Sequence, residues 1–235
     1  MTAPAMGGLR PVGRWRWLIA GCALALVLGV TTWLVGFSSV LGVRTVTVTG
    51  AKFLTPAQVE AAADIRAGSP LSRLDTAAVR ARVAALPEVR TVSVRTSYPS
   101  TVLIRITERV AVGYRAVANG AGLVDADDVQ FRTQSRPPVG LPQLATTGPA
   151  ASDRELTAAV ATVAGALPAA LARRVSLVSA ADAESVTLRL FDGRIVFWGG
   201  TDRAADKARL MTALLRQPGR YYDISDPSSV ISRGA

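Results

Sequence analysis

WLIAGCALALVLGVTTWLVGF, residues 17–37, carries no charged side chain. A helix needs about 20 apolar residues to cross the hydrocarbon core of a bilayer. The block therefore predicts one transmembrane helix, with Trp17, Leu18, Leu26, Trp33 and Phe37 among its residues. Trp15, Trp17 and Trp33 stand near its ends, where aromatic rings favour the membrane interface. A cleavable signal has an apolar core of about 7 to 15 residues and a small-x-small cleavage site. The run here is longer, and the GFSSVLG that ends it matches such a site poorly. Arg10, Arg14 and Arg16 precede the block and no acid does. Positive charge is retained in the cytoplasm, so the N-terminus is expected inside the cell and the remainder outside.

The residues beyond position 37 keep all 17 acidic groups and a net charge of +7. Such a surplus suits nucleic acid, anionic lipid headgroups or acidic wall polymers. The arginines alternate with apolar residues, however, as solvated faces do, and no cluster interleaves basic with aromatic residues. Nucleic acid is not expected as a partner. Cys22 is the only cysteine and lies inside the apolar block, so no disulfide framework can form within the chain. Histidine is absent, which removes the commonest general base, the Ser-His-Asp triad and most zinc sites.

The first external stretch reads strand, helix, helix, strand, strand. Val46 and Val48 alternate with threonines in 43–50, the period of a half-buried strand. Thr55 with Gln58 makes a capping box and Pro56 fits the first helical position. Asp75 caps a second helix with Val79, Val83 and Leu86 at helical spacing, stopped by Pro87. Val92 and Val94, then Val102, Ile104 and Ile106, mark two strands joined by a turn at 97–100.

The second part begins near Val110. Residues 112–114 and 123–131 read as strands about the turn Asn119-Gly120, and proline-rich 132–151 reads as a loop. Ser152 with Glu155 forms a capping box before the stripe Leu156, Val160, Val163 and Leu167. Strands follow at Val175–Leu177 and Val186–Leu190, and Asp192-Gly193 is a hairpin signal before Ile195 and Phe197. A helix from about 202 to 216 buries Ala208, Met211, Leu214 and Leu215. Residues 221–224 read as the last strand, and the tail after Pro227 is polar.

No constellation reads as an active site. Asp125, Asp127 and Asp128 lack the glycine and glutamate offsets of a calcium loop and read as a solvated turn. No glycine pattern cradles a phosphate. No metal, cofactor or small-molecule substrate is expected. Protein binding remains, because a sheet's edge strand offers unpaired amide and carbonyl groups to another strand. Residues 220–225 form such an edge, with Tyr221 and Tyr222 on opposite faces. The plain alternative is an ordinary edge strand with one tyrosine packed and the other exposed.

The order of motifs resembles the bacterial cell-division family FtsQ/DivIB over nearly the whole chain. The resemblance rests on the basic tail and anchor, Val43-Arg-Thr-Val-Thr-Val-Thr-Gly50, Leu86-Pro-Glu-Val89, Tyr98-Pro99 and Ile106-Thr-Glu-Arg109. It continues through Gly122-Leu-Val-Asp125 to Phe131, Gly140-Leu-Pro142, Lys207 to Leu215 and Tyr222-Asp-Ile-Ser-Asp-Pro227. Two departures stand out: Val110-Ala111 replaces a proline, and Asp128 stands near where a glycine is usual.

The resemblance implies an α+β fold. Residues 1–16 are a cytoplasmic tail, 17–37 a transmembrane helix, 43–109 a POTRA domain of β-α-α-β-β order, 110–227 a mixed β-domain with two helices, and 228–235 a flexible tail. It implies a non-enzymatic divisome scaffold in the cell membrane at the septum, in contact with membrane lipid. Such a scaffold links cytoplasmic and external division proteins, binds the coiled-coil proteins FtsB and FtsL, and helps regulate the septal peptidoglycan synthase complex. The family's partner contact on its last strand maps onto Tyr221, Tyr222, Asp223, Ile224, Ser225 and on to Val230. On that mapping, a charge at Tyr222 or Ile224 should weaken FtsB/FtsL capture and leave the fold intact. The rival reading is an anchored wall-binding or wall-remodelling protein. An outer-membrane assembly factor fits less well, because repeated POTRA units and barrel strands are missing.

Overall fold

The computed structural model describes residues 13–37, 42–148, 153–229 and 231–233. The chain is a mixed α+β protein that divides into two compact units. One is Met1–Leu86 with Thr91–Thr107, the other Pro87–Arg90 with Glu108–Ala235.

The first unit opens with helix α1 (Gly13–Phe37), 25 residues long, or roughly 37 Å at 1.5 Å per residue. Among the described residues no helix is long and apolar enough to cross a membrane. The continuous run with described side chains is 17–30. Strand β1 (Thr45–Thr49), helices α2 (Pro56–Ala63) and α3 (Thr76–Ala84), and strands β2 (Val89–Ser97) and β3 (Thr101–Glu108) follow.

Local chemistry fixes both short helices. The Gln58 amide donates to Thr55 Oγ1 while the Thr55 amide donates to Gln58 Oε1, at 3.3 and 2.8 Å. Asp75 accepts from the amides of Ala77 and Ala78 at 3.0 and 2.9 Å. The sheet order is β1-β3-β2 with β1 parallel to β3. On β3, Val102, Ile104 and Ile106 are buried together with Val59, Ala63, Val79 and Val83. Leu103 and Arg105 alternate with them and stay exposed.

The second unit is one nine-stranded sheet with helices on one face. Its strands are β4 (Gly113–Val117), β5 (Gly120–Val124), β6 (Gln130–Gln134), β7 (Gln143–Thr146), β8 (Val175–Ala180), β9 (Val186–Leu190), β10 (Ile195–Gly199), β11 (Tyr221–Asp223) and β12 (Ile231–Arg233). The order across the sheet is β12-β11-β10-β9-β8-β7-β4-β5-β6. Helices α4 (Arg154–Ala166), α5 (Ala169–Ala172) and α6 (Ala204–Leu214) contribute Leu156, Val160, Val163, Leu171, Ala208 and Met211 to a core shared with Leu188, Val196, Trp198 and Tyr222.

Several sequence expectations change here. Residues 123–131 are not one strand, because a turn at 125–129 separates β5 from β6. The stretch 132–151 is not all loop, since it holds the end of β6 and the whole of β7, a short parallel strand between β4 and β8. Helix α4 is capped by Asp153, whose carboxylate accepts from the Glu155 amide at 2.9 Å. Ser152, the expected cap, lies outside the described residues. On β10 the buried pair is Val196 and Trp198, while Ile195 and Phe197 are half-buried. Three helices stand where two were expected, the third being the single turn α5.

Candidate partner-binding edge

The C-terminal end of the large sheet is built as a crossover. Strands β10 and β11 run parallel, which requires a connection of a dozen residues or more, and α6 supplies it. Lys207 anchors the start of that connection. Its side chain is fully buried, and Nζ donates to the Gly200 carbonyl and to Asp202 Oδ1 at 3.0 and 2.9 Å. Gly199 has φ 75°, and a Cβ there would stand 2.8 Å from the Ser225 Cβ, so only glycine permits this approach.

The register sorts the site residues by face. Leu188, Val196, Tyr222 and Ser232 form one row across β9, β10, β11 and β12. The first three are buried on the helix side. The neighbouring rows, Ile195–Tyr221–Arg233 and Phe197–Asp223–Ile231, lie on the opposite face. There Ile195, Phe197 and Tyr221 are half-buried and Ile231 is 44 % exposed. Apolar side chains thus reach the rim of the sheet at Ile231, with Asp223 and Arg233 set among them.

The expected contact residues separate accordingly. Tyr222 is 1 % exposed and its hydroxyl donates to the Gln217 carbonyl at 2.8 Å. Ile224 is fully buried, and its amide donates to the Phe197 carbonyl at 2.9 Å. Both are core residues. Tyr221, Asp223 and Ser225 are half-buried, and Asp223 Oδ1 accepts from the Ser225 amide and hydroxyl at 3.0 and 2.7 Å. Val230 lies outside the described residues.

The expected edge is not the edge. β11 pairs with β10 on one side and with β12 on the other. The terminal strand is β12, formed where a polar tail was expected, and all three of its residues are exposed. Its signal in the sequence is only the β-branched pair Val230-Ile231, too short for any periodicity. The turn into it is fixed by Asp226, whose carboxylate accepts from the Ser228 amide and hydroxyl at 3.0 and 2.5 Å. Arg203 Nη1 lies 3.6 Å from the same carboxylate.

The other flagged cluster turns out structural. Asp125 is 3 % exposed rather than solvated and pairs with Arg109 at 2.5 Å. Asp128 adopts φ 63°, a conformation glycine takes freely, and its carboxylate accepts from Arg115 and from Thr157 Oγ1. The aspartate near the usual glycine position thus adds two contacts that tie the β5–β6 turn to β4 and α4. Among the described residues no group of three side chains is arranged to hold a metal.

Three surface carboxylates predict a mild acid sensitivity of the unit. The Arg194 side chain holds the Asp192 carboxyl below its ordinary value, Lys207 does so for Asp202, and the Ser228 hydroxyl and amide do so for Asp226. A carboxyl depressed in the folded state stabilises above its unfolded pKa, about 3.9, and that stability is lost as pH falls through the folded value. The melting temperature should be flat from pH 7 to about pH 5 and fall below about pH 4. Asp202→Asn should lessen the fall in a thermal series, and an unchanged profile would remove Asp202 from the account.

Comparison with known proteins agrees with this architecture. Residues 41–109 match the model of the POTRA domain, FtsQ-type, and 114–228 match Cell division protein FtsQ/DivIB, C-terminal. The chain is 41% identical over 191 residues to the cell division protein FtsQ of Mycobacteroides abscessus, covering 81% of this chain and 61% of that protein. It is 39% identical over 211 residues to FtsQ of Mycolicibacterium smegmatis, covering 90% and 62%. It thus spans about three fifths of the length of these relatives. With FtsQ of Streptomyces collinus it is 38% identical over 231 residues, 93% of this chain and 88% of that protein. On both domain matches and on this near full-length similarity, the chain belongs to the FtsQ/DivIB family of cell division proteins.

Proposed function

We propose that this protein is a bitopic, non-enzymatic scaffold of the division machinery that captures FtsB- and FtsL-type partners by strand addition at β12. The observation that carries the reading is the position of β12. It ends a nine-stranded sheet, its outward edge has no strand partner among the described residues, and Ile231 beside it is exposed. Main-chain hydrogen bonds along such an edge supply affinity, and side chains on alternate positions supply selectivity. Tyr221 and Ile231 share one face next to that edge, and aromatic anchors are favoured in interfaces. By this route the protein links cytoplasmic and external components at the septum and helps control septal peptidoglycan synthesis.

Helix α1 is the anchor in this reading. Trp17, Leu18 and Leu26 are 81 %, 70 % and 68 % exposed, and over residues 17–30 apolar side chains point outward all round the helix. A helix that is apolar on every side belongs in a core or in a bilayer. Arg10, Arg14 and Arg16, ahead of the apolar run that starts at Trp17, favour an N-terminus in the cytoplasm and the two units outside.

Ile231→Asp should raise the dissociation constant for an FtsB–FtsL complex at least about tenfold, the loss typical of an interface anchor. Its exposure means the melting temperature should move by no more than about 2 °C. Phe191→Ser removes an apolar side chain that is 71 % exposed elsewhere on the unit and should leave affinity unchanged. Binding measured by calorimetry or interferometry decides it. Equal affinity for Ile231→Asp and the parent would remove β12 as the docking edge.

A further inference from the structure

The outward face of the first unit's sheet carries an arrangement that the scaffold role does not use. Thr47, Thr49, Ser93, Arg95, Leu103 and Arg105 line a shallow pocket of about 160 Å³. Thr47 stands opposite Leu103 and Thr49 opposite Arg105 in the β1–β3 register. Neither the Arg95 nor the Arg105 side chain forms a hydrogen bond or ion pair among the described residues. Glu60, Asp64 and Asp75 are the unit's only carboxylates. Glu60 lies on α2, Asp64 at its C-cap and Asp75 at the N-cap of α3. The open face therefore presents two unpaired guanidiniums and three hydroxyls, with no acidic group among the pocket residues.

We propose that this face docks on the phosphate headgroups of anionic membrane lipids. Guanidinium forks match phosphate oxygens in a bidentate geometry, and hydroxyls on rigid strands add donors at fixed spacing. Leu103, 42 % exposed between them, gives the acyl boundary an apolar contact. Connectivity favours a lipid source over a soluble one. Thr45 follows Phe37 by eight residues, which span at most about 29 Å when fully extended. A helix anchored in the bilayer thus keeps the sheet close to the leaflet. The inference rests on the anchor reading of α1 for that closeness. Each arginine beside an anionic surface favours the docked state about fivefold.

The test uses the full chain carrying Leu103→Cys, which preserves both arginines and all three hydroxyls. It is placed in nanodiscs of phosphatidylcholine, with or without phosphatidylglycerol, and exposed to a membrane-impermeant maleimide. Labelling at each cysteine is read by mass spectrometry. Phosphatidylglycerol should slow labelling at position 103 at least about tenfold, and Arg95→Gln with Arg105→Gln should restore the phosphatidylcholine rate. Equal rates in the two lipids overturn the proposal, as does a slowing that survives the double substitution. Slowing by inorganic phosphate in detergent, without slowing by phosphatidylglycerol, would assign the pocket to free phosphate and overturn the lipid source. The native Cys22 keeps the two readings apart. Its labelling in nanodiscs sinks the anchor, whereas its protection beside rapid labelling at 103 sinks only the lipid docking.

Discussion

Tyr222→Asp and Ile224→Asp will each unfold the second unit instead of producing a folded protein that has lost its partner. Ile224 has no exposed surface and Tyr222 is 1 % exposed, packed with Val196, Leu188 and Met211 in one core. Removing a buried side chain of this size costs about 2 to 5 kcal/mol. Burying an unpaired carboxylate in its place adds several more. The sum rivals the roughly 5–15 kcal/mol that stabilises a whole domain. Ile224→Asp should therefore show no cooperative thermal transition by circular dichroism. Tyr222→Phe is the graded control, losing only the 2.8 Å hydrogen bond to Gln217 at about 1 kcal/mol. A folded, monomeric Tyr222→Asp that still fails to bind its partner would restore Tyr222 to the interface. Loss of capture by either aspartate variant is otherwise uninformative about docking, which is why the exposed Ile231 is the position to test.

The same residues show where sequence reading stops. Two adjacent tyrosines on a strand must face opposite ways, and that much is legible. Which of them faces the core depends on the crossover through α6, which sets Tyr222 in the row of Val196 and Leu188. No local pattern encodes that choice. The helices of the first unit are legible because Thr55, Pro56, Gln58 and Asp75 act within four residues of themselves. Strand β7 is not, because a short parallel strand needs only Leu144 buried and takes its partners from β4 and β8. Strand β12 is hidden for the same reason. It exists because β11 offers it an edge, not because three exposed residues prefer to be extended. A short edge strand of this kind is thus among the hardest elements to read from the chain.

Asp125→Ala should strongly destabilise the second unit. One carboxylate does three things at the β5–β6 turn. Oδ1 accepts from the amides of Asp127 and Val129 at 3.0 and 2.9 Å, and Oδ2 accepts from Arg109 Nη1 at 2.5 Å. The group is 3 % exposed and the Arg109 side chain 18 % exposed, so water replaces the lost partners poorly. Alanine leaves two amides unpaired and strips the Arg109 guanidinium of its closest carboxylate, leaving it the Pro87 carbonyl at 3.2 Å and Asp127 at 3.8 Å. Breaking such a shielded pair from one side costs about 3–5 kcal/mol. Asp125→Asn keeps an acceptor for the two amides but sets an NH2 against the arginine, and should fall between, near 2 kcal/mol. Asp127, whose side chain is 48% exposed, should change stability by less than about 1 kcal/mol when replaced by alanine. Urea denaturation of the three variants, with Arg109→Ala completing a double-mutant cycle, measures each step. A coupling of at least about 1.5 kcal/mol between positions 109 and 125 is expected. A loss below 1 kcal/mol for Asp125→Ala would mean that the turn is held by the Asp125 amide to the Val129 carbonyl at 3.1 Å and by the Asp128 contacts to Arg115 and Thr157, and that the Asp125 carboxylate is dispensable.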